Sequence, residues 1–344
     1  IMEKPPYRIP DMKEIAAIPW NGINVVSTFS GCGGSCLGYR IAGCKVVWAS
    51  EFVPAAAEVY KLNHPNSHLD TRDIREVESS DILRDAGIPK GSVDILDGSP
   101  PCSSFSLASA GKRTKDWGKV KKYSDTKQRT DDLFFEYTRI LDGLQPRAFV
   151  AENVPALIRG KAKGYFKQII GELKDCGYKV SAAIINAGRL GVPQARQRLI
   201  FVGFRNDLGL SPVFPRPDSW GYTIGESLKG LDTSVQCIRF TGRGWGVGAP
   251  IYTPSFQAPT VTTMGFFSDV YKVDRPSSIN CFSENQKNSD RLTIHELKRL
   301  CSFPDDFELS GSYEQRWERL GRAVPPMMMS RIASTIAEKL NAKR

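Results

Sequence analysis

With 344 residues, 41% of them hydrophobic and 24% charged, the chain has the balance of an ordinary globular protein, and the length for one large domain with a smaller lobe or for two domains. No apolar run reaches the roughly 18–20 residues that a bilayer-spanning helix needs, which excludes a helical membrane protein. The 47 Lys and Arg against 37 Asp and Glu leave a formal charge of +10, which favours a polyanionic partner because each neutralised phosphate releases counterions.

The predicted elements begin after a charged, proline-containing stretch, IMEKPPYRIPDMKE, where a signal peptide would need an apolar segment, so the cytoplasm is the expected compartment. Residues 23–29 (INVVSTF) read as a strand, followed by a glycine turn and a short helix. Residues 45–50 form a second strand and 53–62 a helix. A third strand, 93–97, runs into the loop SPPCSSFS. Residues 131–144 are helical, 147–151 a strand, and 165–176 a helix closed by Gly177, with last strands at 178–185 and 199–204. This alternation predicts an α/β fold with a mostly parallel sheet and helices on both faces. From 205 to 290 helical periodicity gives way to Gly, Pro, Ser, Thr and scattered aromatics, the texture of short strands and long loops. Helix returns at 293–301, and 324–340 reads as a closing helix.

Eight cysteines occur without a CxxC pair, and the three histidines (His64, His68, His295) have no zinc-knuckle spacing. Reduced, buried thiols and no metal are therefore expected.

Four constellations carry chemistry. In Phe29-Ser30-Gly31-Cys32-Gly33-Gly34 a strand enters a tight turn and then a helix, which lets a ligand approach backbone amides; a packing turn is the other reading. Cys36 breaks the dinucleotide fingerprint, while Glu51 stands where an acid can grip ribose hydroxyls and Asp73, with Ile74, can read an adenine, so an adenosyl cofactor fits better than NAD. In Gly98-Ser99-Pro100-Pro101-Cys102 two prolines stiffen a strand-end loop before a cysteine, which is either buried or a nucleophile. Glu152-Asn153-Val154 follows a strand, where an acid can donate a proton. In Gln194-Ala195-Arg196-Gln197-Arg198 the arginines share one face, to hold a phosphate or a base carbonyl or to line a solvated edge strand.

In this order FSGCGG, Glu51, Asp73, SPPCSSFS, ENV, QARQR, RLTIHELKRLCSFPDDF and GRAVPP resemble the DNA cytosine-5 methyltransferases, over residues 23–335. The resemblance implies a Rossmann-like S-adenosylmethionine-dependent methyltransferase sheet with helices on both faces, plus a smaller loop- and strand-rich target-recognition lobe. It divides the chain into a catalytic and cofactor-binding domain at 1–204, a target-recognition domain at 205–290, and a return to the catalytic domain at 291–344 that closes the cofactor site. It makes Cys102 the nucleophile, Glu152 the proton donor, Arg198 a contact to the cytosine carbonyl, Asn153 the anchor of the proline-cysteine loop, and Arg196 a support for the base or a nearby phosphate. Phe29, Ser30, Gly31, Cys32, Gly33, Gly34, Glu51, Phe52, Asp73, Ile74, Pro101, Leu133, Ala323 and Val324 are the implied cofactor site. The cofactor is S-adenosyl-L-methionine, released as S-adenosyl-L-homocysteine, without a metal. Two positions depart from the family: Ser27 stands where it usually has Asp, and Arg322 where it has Asn.

Such chemistry needs the cytosine out of the duplex. Residues 110–130 carry eight Lys or Arg and read as a flexible solvated loop or as a lid that grips phosphates, with Ser103, Lys112, Arg113, Lys119, Lys121 and Lys122 as the nucleic-acid contacts. The expected partner is double-stranded DNA, with a cognate restriction endonuclease as a conceivable companion, no membrane and a monomeric state. A tRNA methyltransferase of the same family and a catalytically inactive DNA-binding regulator are the competing readings.

Overall fold

The structure, a computed structural model, describes residues 4–101, 120–230, 238–241, 251–252, 254–262, 269–272 and 290–343. A short helix α1 (Met12–Ala16) precedes strand β1 (Asn24–Thr28), which leads through the glycine turn into α2 (Gly34–Ile41). Next come β2 (Lys45–Ser50), α3 (Pro54–Asn63) with proline in its first turn, β3 (His68–Asp70), α4 (Ser79–Ala86) and β4 (Ile95–Gly98). A hairpin of β5 (Lys121–Tyr123) and β6 (Thr126–Gln128) precedes α5 (Leu133–Leu144), β7 (Ala148–Asn153), α6 (Lys163–Asp175), β8 (Tyr178–Asn186) and β9 (Gln197–Arg205). Helix α7 (Ile224–Leu228) is followed by short strands β10 (Ile238–Thr241), β11 (Ile251–Tyr252), β12 (Asp269–Lys272) and β13 (Asp290–Arg291). The chain ends in α8 (Ile294–Leu300), α9 (Tyr313–Arg322) and α10 (Pro326–Asn341).

Seven strands make one sheet in the order β3-β2-β1-β4-β7-β9-β8, parallel as far as β7, with β9 antiparallel to both its neighbours. A strand covered on both faces needs apolar residues throughout rather than in alternation, which is why β2 (KVVWAS) reads as a near-continuous run, while β1 (NVVST) buries Ser27 and Thr28 beside its valines. On one face Met328, Met329, Ile332, Ile336 and Leu340 of α10 join α2 against Val25, Val46 and Val150. On the other, Phe134, Tyr137 and Ile140 of α5 and Ile169 and Leu173 of α6 pack on Val26, Leu96 and Phe149. The connections diverge between β1 and β4, and ligands of open α/β sheets bind beyond the carboxyl ends of the strands at such a point.

Beyond β9 the chain continues along the core. Leu208, Leu210, Val213 and Phe214 still pack against the first face. Ile224 and Leu228 of α7 join Ala258, Val261, Leu297, Leu300 and Trp317 in a third apolar cluster. The five residues of α7 are too few to register as helical periodicity, although Thr223 and Glu226 form a capping box. The strands β10–β13 form a second, antiparallel sheet in the order β11-β10-β12-β13. Among the described residues no helix is long and apolar enough to cross a membrane, and Cys32, Cys36, Cys44, Cys176 and Cys301 are free thiols.

Candidate active site

The carboxyl ends of β1, β2, β4 and β7 open into a cavity of about 430 Å³, a size suited to a small organic cofactor. The turn after β1 forms its floor. Phe29 adopts a positive φ of 54° there, and Gly31 one of 58°. The Gly31 amide donates to Glu51 Oε2 and the Val53 amide to Glu51 Oε1, both at 2.7 Å, so the acid at the end of β2 is fixed against the turn. Burial pushes the Glu51 carboxyl above its ordinary range, opposed by those two amides. Asp73 caps a single 3₁₀ turn, Ile74–Glu76, and is paired with Arg75 at 2.9 Å.

Phe29, Ser30, Gly31, Cys32, Glu51, Phe52, Asp73, Ile74, Pro101, Leu133, Ala323 and Val324 all line the cavity. Gly33 and Gly34 do not. A Cβ at Gly33 would run into the His64 ring, and one at Gly34 into the Val324 carbonyl, so the turn is closely packed at these two glycines.

The opposite end of the cavity holds the charged residues of β7 and β9. Strand β7 runs two residues farther than the sequence predicts, so Glu152 and Asn153 belong to it and pair with Ile200 and Leu199 of β9. Glu152 Oε1 lies 2.7 Å from Arg198 Nε, both side chains mostly buried. Burial lowers the Arg198 pKa, against the pull of Glu152. Asn153 Nδ2 donates to the Pro100 carbonyl at 3.3 Å and so ties β7 to the loop after β4.

Strand β9 is interior to the sheet, not an edge strand, and Arg196 before it is buried. Its Nη1 donates to Val261 O at 2.9 Å and its Nη2 to Gly321 O at 2.8 Å. Burial, then Arg198, pushes its pKa down to about 9. Arg196 lines the cavity, and its two carbonyl bonds fasten residues near 261 to the end of α9, while its buried Nε has no partner among the described residues.

Cys102, Ser103, Lys112, Arg113 and Lys119 lie outside the described residues, and of Lys121 and Lys122 the structure describes the β5 backbone. Pro100 and Pro101 line the cavity, so the loop carrying Cys102 starts at it.

Sequence reasoning missed several lining residues. Tyr123 of β5 stacks under Arg322, 4.2 Å from guanidinium to ring centre, and Arg319 holds Asp125 at 3.0 Å and Ser124 at 2.9 Å. The basic run had drawn attention to lysines, while this hairpin docks on α9 through its neutral and acidic residues. Asp97 was missed too, although its place in β4, among apolar residues, was a signal.

The family model for the C-5 cytosine-specific DNA methylase matches residues 23–229 and 233–338. The chain belongs to the C-5 cytosine-specific DNA methylases. It is 27% identical to the type II methyltransferase M.NgoPII of Neisseria gonorrhoeae, over 96% of this chain and 99% of the relative. It is 30% identical to M.FnuDI of Fusobacterium nucleatum, over 93% and 96%. The fold matches a DNA modification methyltransferase encoded within an E. coli prophage, with TM-score 0.68 and 20% identity over 93% of this chain and 99% of the other. It also matches S. pombe Dnmt2, with TM-score 0.66 and 19% identity over 93% and 99%. Methylases of this family are S-adenosylmethionine-dependent enzymes, and a cavity with apolar walls from Phe29, Ile74 and Leu133 and a fixed acid, Glu51, fits a donor of that chemistry.

Proposed function

We propose that this methylase transfers a methyl group from S-adenosyl-L-methionine to C5 of a cytosine turned out of double-stranded DNA, releasing S-adenosyl-L-homocysteine. The observation that carries this reading is the Glu152–Arg198 pair at 2.7 Å, placed in the same cavity as Glu51 and the Pro100–Pro101 loop. Glu51 holds the ribose hydroxyls, Asp73 and Ile74 the adenine. Bound, the cofactor supplies an electrophilic methyl on a sulfonium.

Cytosine C5 is a poor nucleophile until a thiolate, Cys102, adds at C6 and makes the ring an enamine. Arg198 at the base carbonyl stabilises the charge that develops on the ring, and Glu152 gives a proton to N3 and takes it back when the Cys102 bond breaks. After C5 is alkylated a base removes its proton, and the Cys102–C6 bond breaks to restore both ring and thiol. Asn153, through the Pro100 carbonyl, keeps the nucleophile loop in register. None of this fits inside a stacked duplex, so the base is extruded.

The sheet β10–β13 and its connections are the proposed reading lobe. As with relatives named type II methyltransferases, a restriction endonuclease of the same specificity is the proposed companion, and the enzyme acts as a monomer in the cytoplasm. Labelled methyl offered to duplex DNA and to tRNA, together with 5-methylcytosine-sensitive sequencing of DNA from expressing cells, tests the reading. Methylation at one recurrent DNA motif is expected; label in tRNA alone overturns it.

Lys112, Arg113, Lys119, Lys121 and Lys122 are the proposed phosphate-binding side chains of the nucleophile loop. Replacing them with Ala weakens binding to all duplexes alike and flattens the plot of log affinity against log salt by roughly one unit for each phosphate no longer neutralised. A mutant that loses its site preference while keeping the salt slope makes this loop the reader.

A further inference from the structure

The cavity holds a charge that this mechanism leaves unused. Asp97, the third residue of β4, is buried at 2% exposure and lines the cavity. Its Oδ2 accepts from Ser35 Oγ at 2.7 Å and Ser27 Oγ at 3.0 Å, and its Oδ1 from the Tyr39 hydroxyl at 3.3 Å. All three donors are neutral. Among the described residues, the titratable groups facing it are Cys36 and Tyr39 on α2, Tyr137 on α5 and Glu152 on β7, none of them cationic. The other acids of the cavity are already matched, Glu152 by Arg198, Asp73 by Arg75, and Glu51 by two backbone amides. A buried carboxylate without a cation is costly, and a fold retains it where a ligand brings the missing charge.

The surrounding hydroxyls mark the direction from which that charge comes. Asp97 is the register partner of Ser27, across the divergence of β1 and β4. Ser30, whose hydroxyl donates to Ser27 at 3.1 Å, and Ser35 line the cavity beside the glycine turn. The donor carries two cationic centres. Its sulfonium has no hydrogen to donate, and its methyl must face the base, whereas its α-ammonium has three N–H donors that suit a carboxylate ringed by hydroxyls. We propose that Asp97, oriented by Ser27, Ser35 and Tyr39, is the counter-charge for the α-ammonium group of the methyl donor. The assignment rests on the S-adenosylmethionine reading above. It also gives the Ser27 departure a physical sense, since the carboxylate stands one strand over, at the paired position.

The test is calorimetry with S-adenosylhomocysteine, which keeps the ammonium and lacks the sulfonium, and with its analogue in which hydrogen replaces the α-amino group. Asp97→Asn lowers affinity for S-adenosylhomocysteine by about tenfold or more, the scale of one charge-assisted hydrogen bond, and leaves the deaminated analogue within about twofold. The exchange variant Ser27→Asp with Asp97→Ser restores the preference for the amino ligand. In the wild type, burial pushes the Asp97 carboxyl up to about 6, so the preference fades as pH falls through that value and the carboxylate takes a proton. Equal weakening of both ligands in Asp97→Asn, or a wild-type preference that does not change between pH 8 and 5, overturns the assignment. A wild type that binds neither ligand overturns the cofactor reading, and this assignment with it.

Discussion

Cys102→Ser is expected to abolish methyl transfer, by at least about a thousandfold, while S-adenosylhomocysteine affinity stays within about threefold. The two effects separate because the elements that form them separate. The cofactor end of the cavity is built from the turn after β1, the end of β2, the turn at Asp73 and the return at Ala323 and Val324. Cys102 follows Pro101 on a loop held by Asn153 from β7. A serine there is close in volume, so packing is preserved, but a hydroxyl yields far less anion than a thiol at neutral pH. Tritium transfer from the donor and calorimetry on the same preparation give both numbers. The wild type, on duplex DNA with 5-fluorocytosine at its target, should form a complex that survives a denaturing gel, because fluorine cannot leave as the C5 proton does. Substantial turnover by Cys102→Ser, or no trapped complex, removes Cys102 from the nucleophile's place.

What the sequence revealed and what it concealed divide along physical lines. Strand β2 was legible to the residue, and β1 and α3 to within one or two, because β2 is a near-continuous apolar run, Ile23 and Phe29 bracket β1, and a proline marks the start of α3. The turn after β1, Glu51 and Asp73 were legible because they follow strands, where the architecture puts ligands, whereas Leu133, Ala323 and Val324 came from the family resemblance alone. Partners remote in the chain were not. Arg196 is fastened to Val261 and Gly321, 65 and 125 residues away, and no local spacing records that. The same holds for Arg319 and the β5–β6 hairpin, 194 residues apart at Asp125. Gly33 and Gly34 record a remote approach of the same kind, since a Cβ at them would meet the His64 ring and the Val324 backbone.

Glu152→Gln should lower the rate of transfer by more than about a hundredfold, the scale of a positioned acid, and change DNA affinity little, since the interaction strengthens as charge develops on the ring. The variant keeps shape and hydrogen-bonding reach but can neither carry charge nor give up a proton. It also strips Arg198 of its carboxylate at 2.7 Å, leaving a mostly buried guanidinium whose remaining described partner is the Gln197 carbonyl. An uncompensated buried charge is strongly destabilising, so the melting temperature should fall as well. That fall is the reason a rate measurement alone does not decide the role. The second variant is Glu152→Gln with Arg198→Leu, which removes both charges and recovers the stability that the unpaired guanidinium had cost. If the pair is scaffolding, stability and rate recover together. If Glu152 and Arg198 act on the base, the double variant melts higher than the single one but transfers methyl no faster. Melting curves and single-turnover rates on one duplex, measured for the wild type and both variants, separate these outcomes; joint recovery in the double variant would return both residues to a structural role.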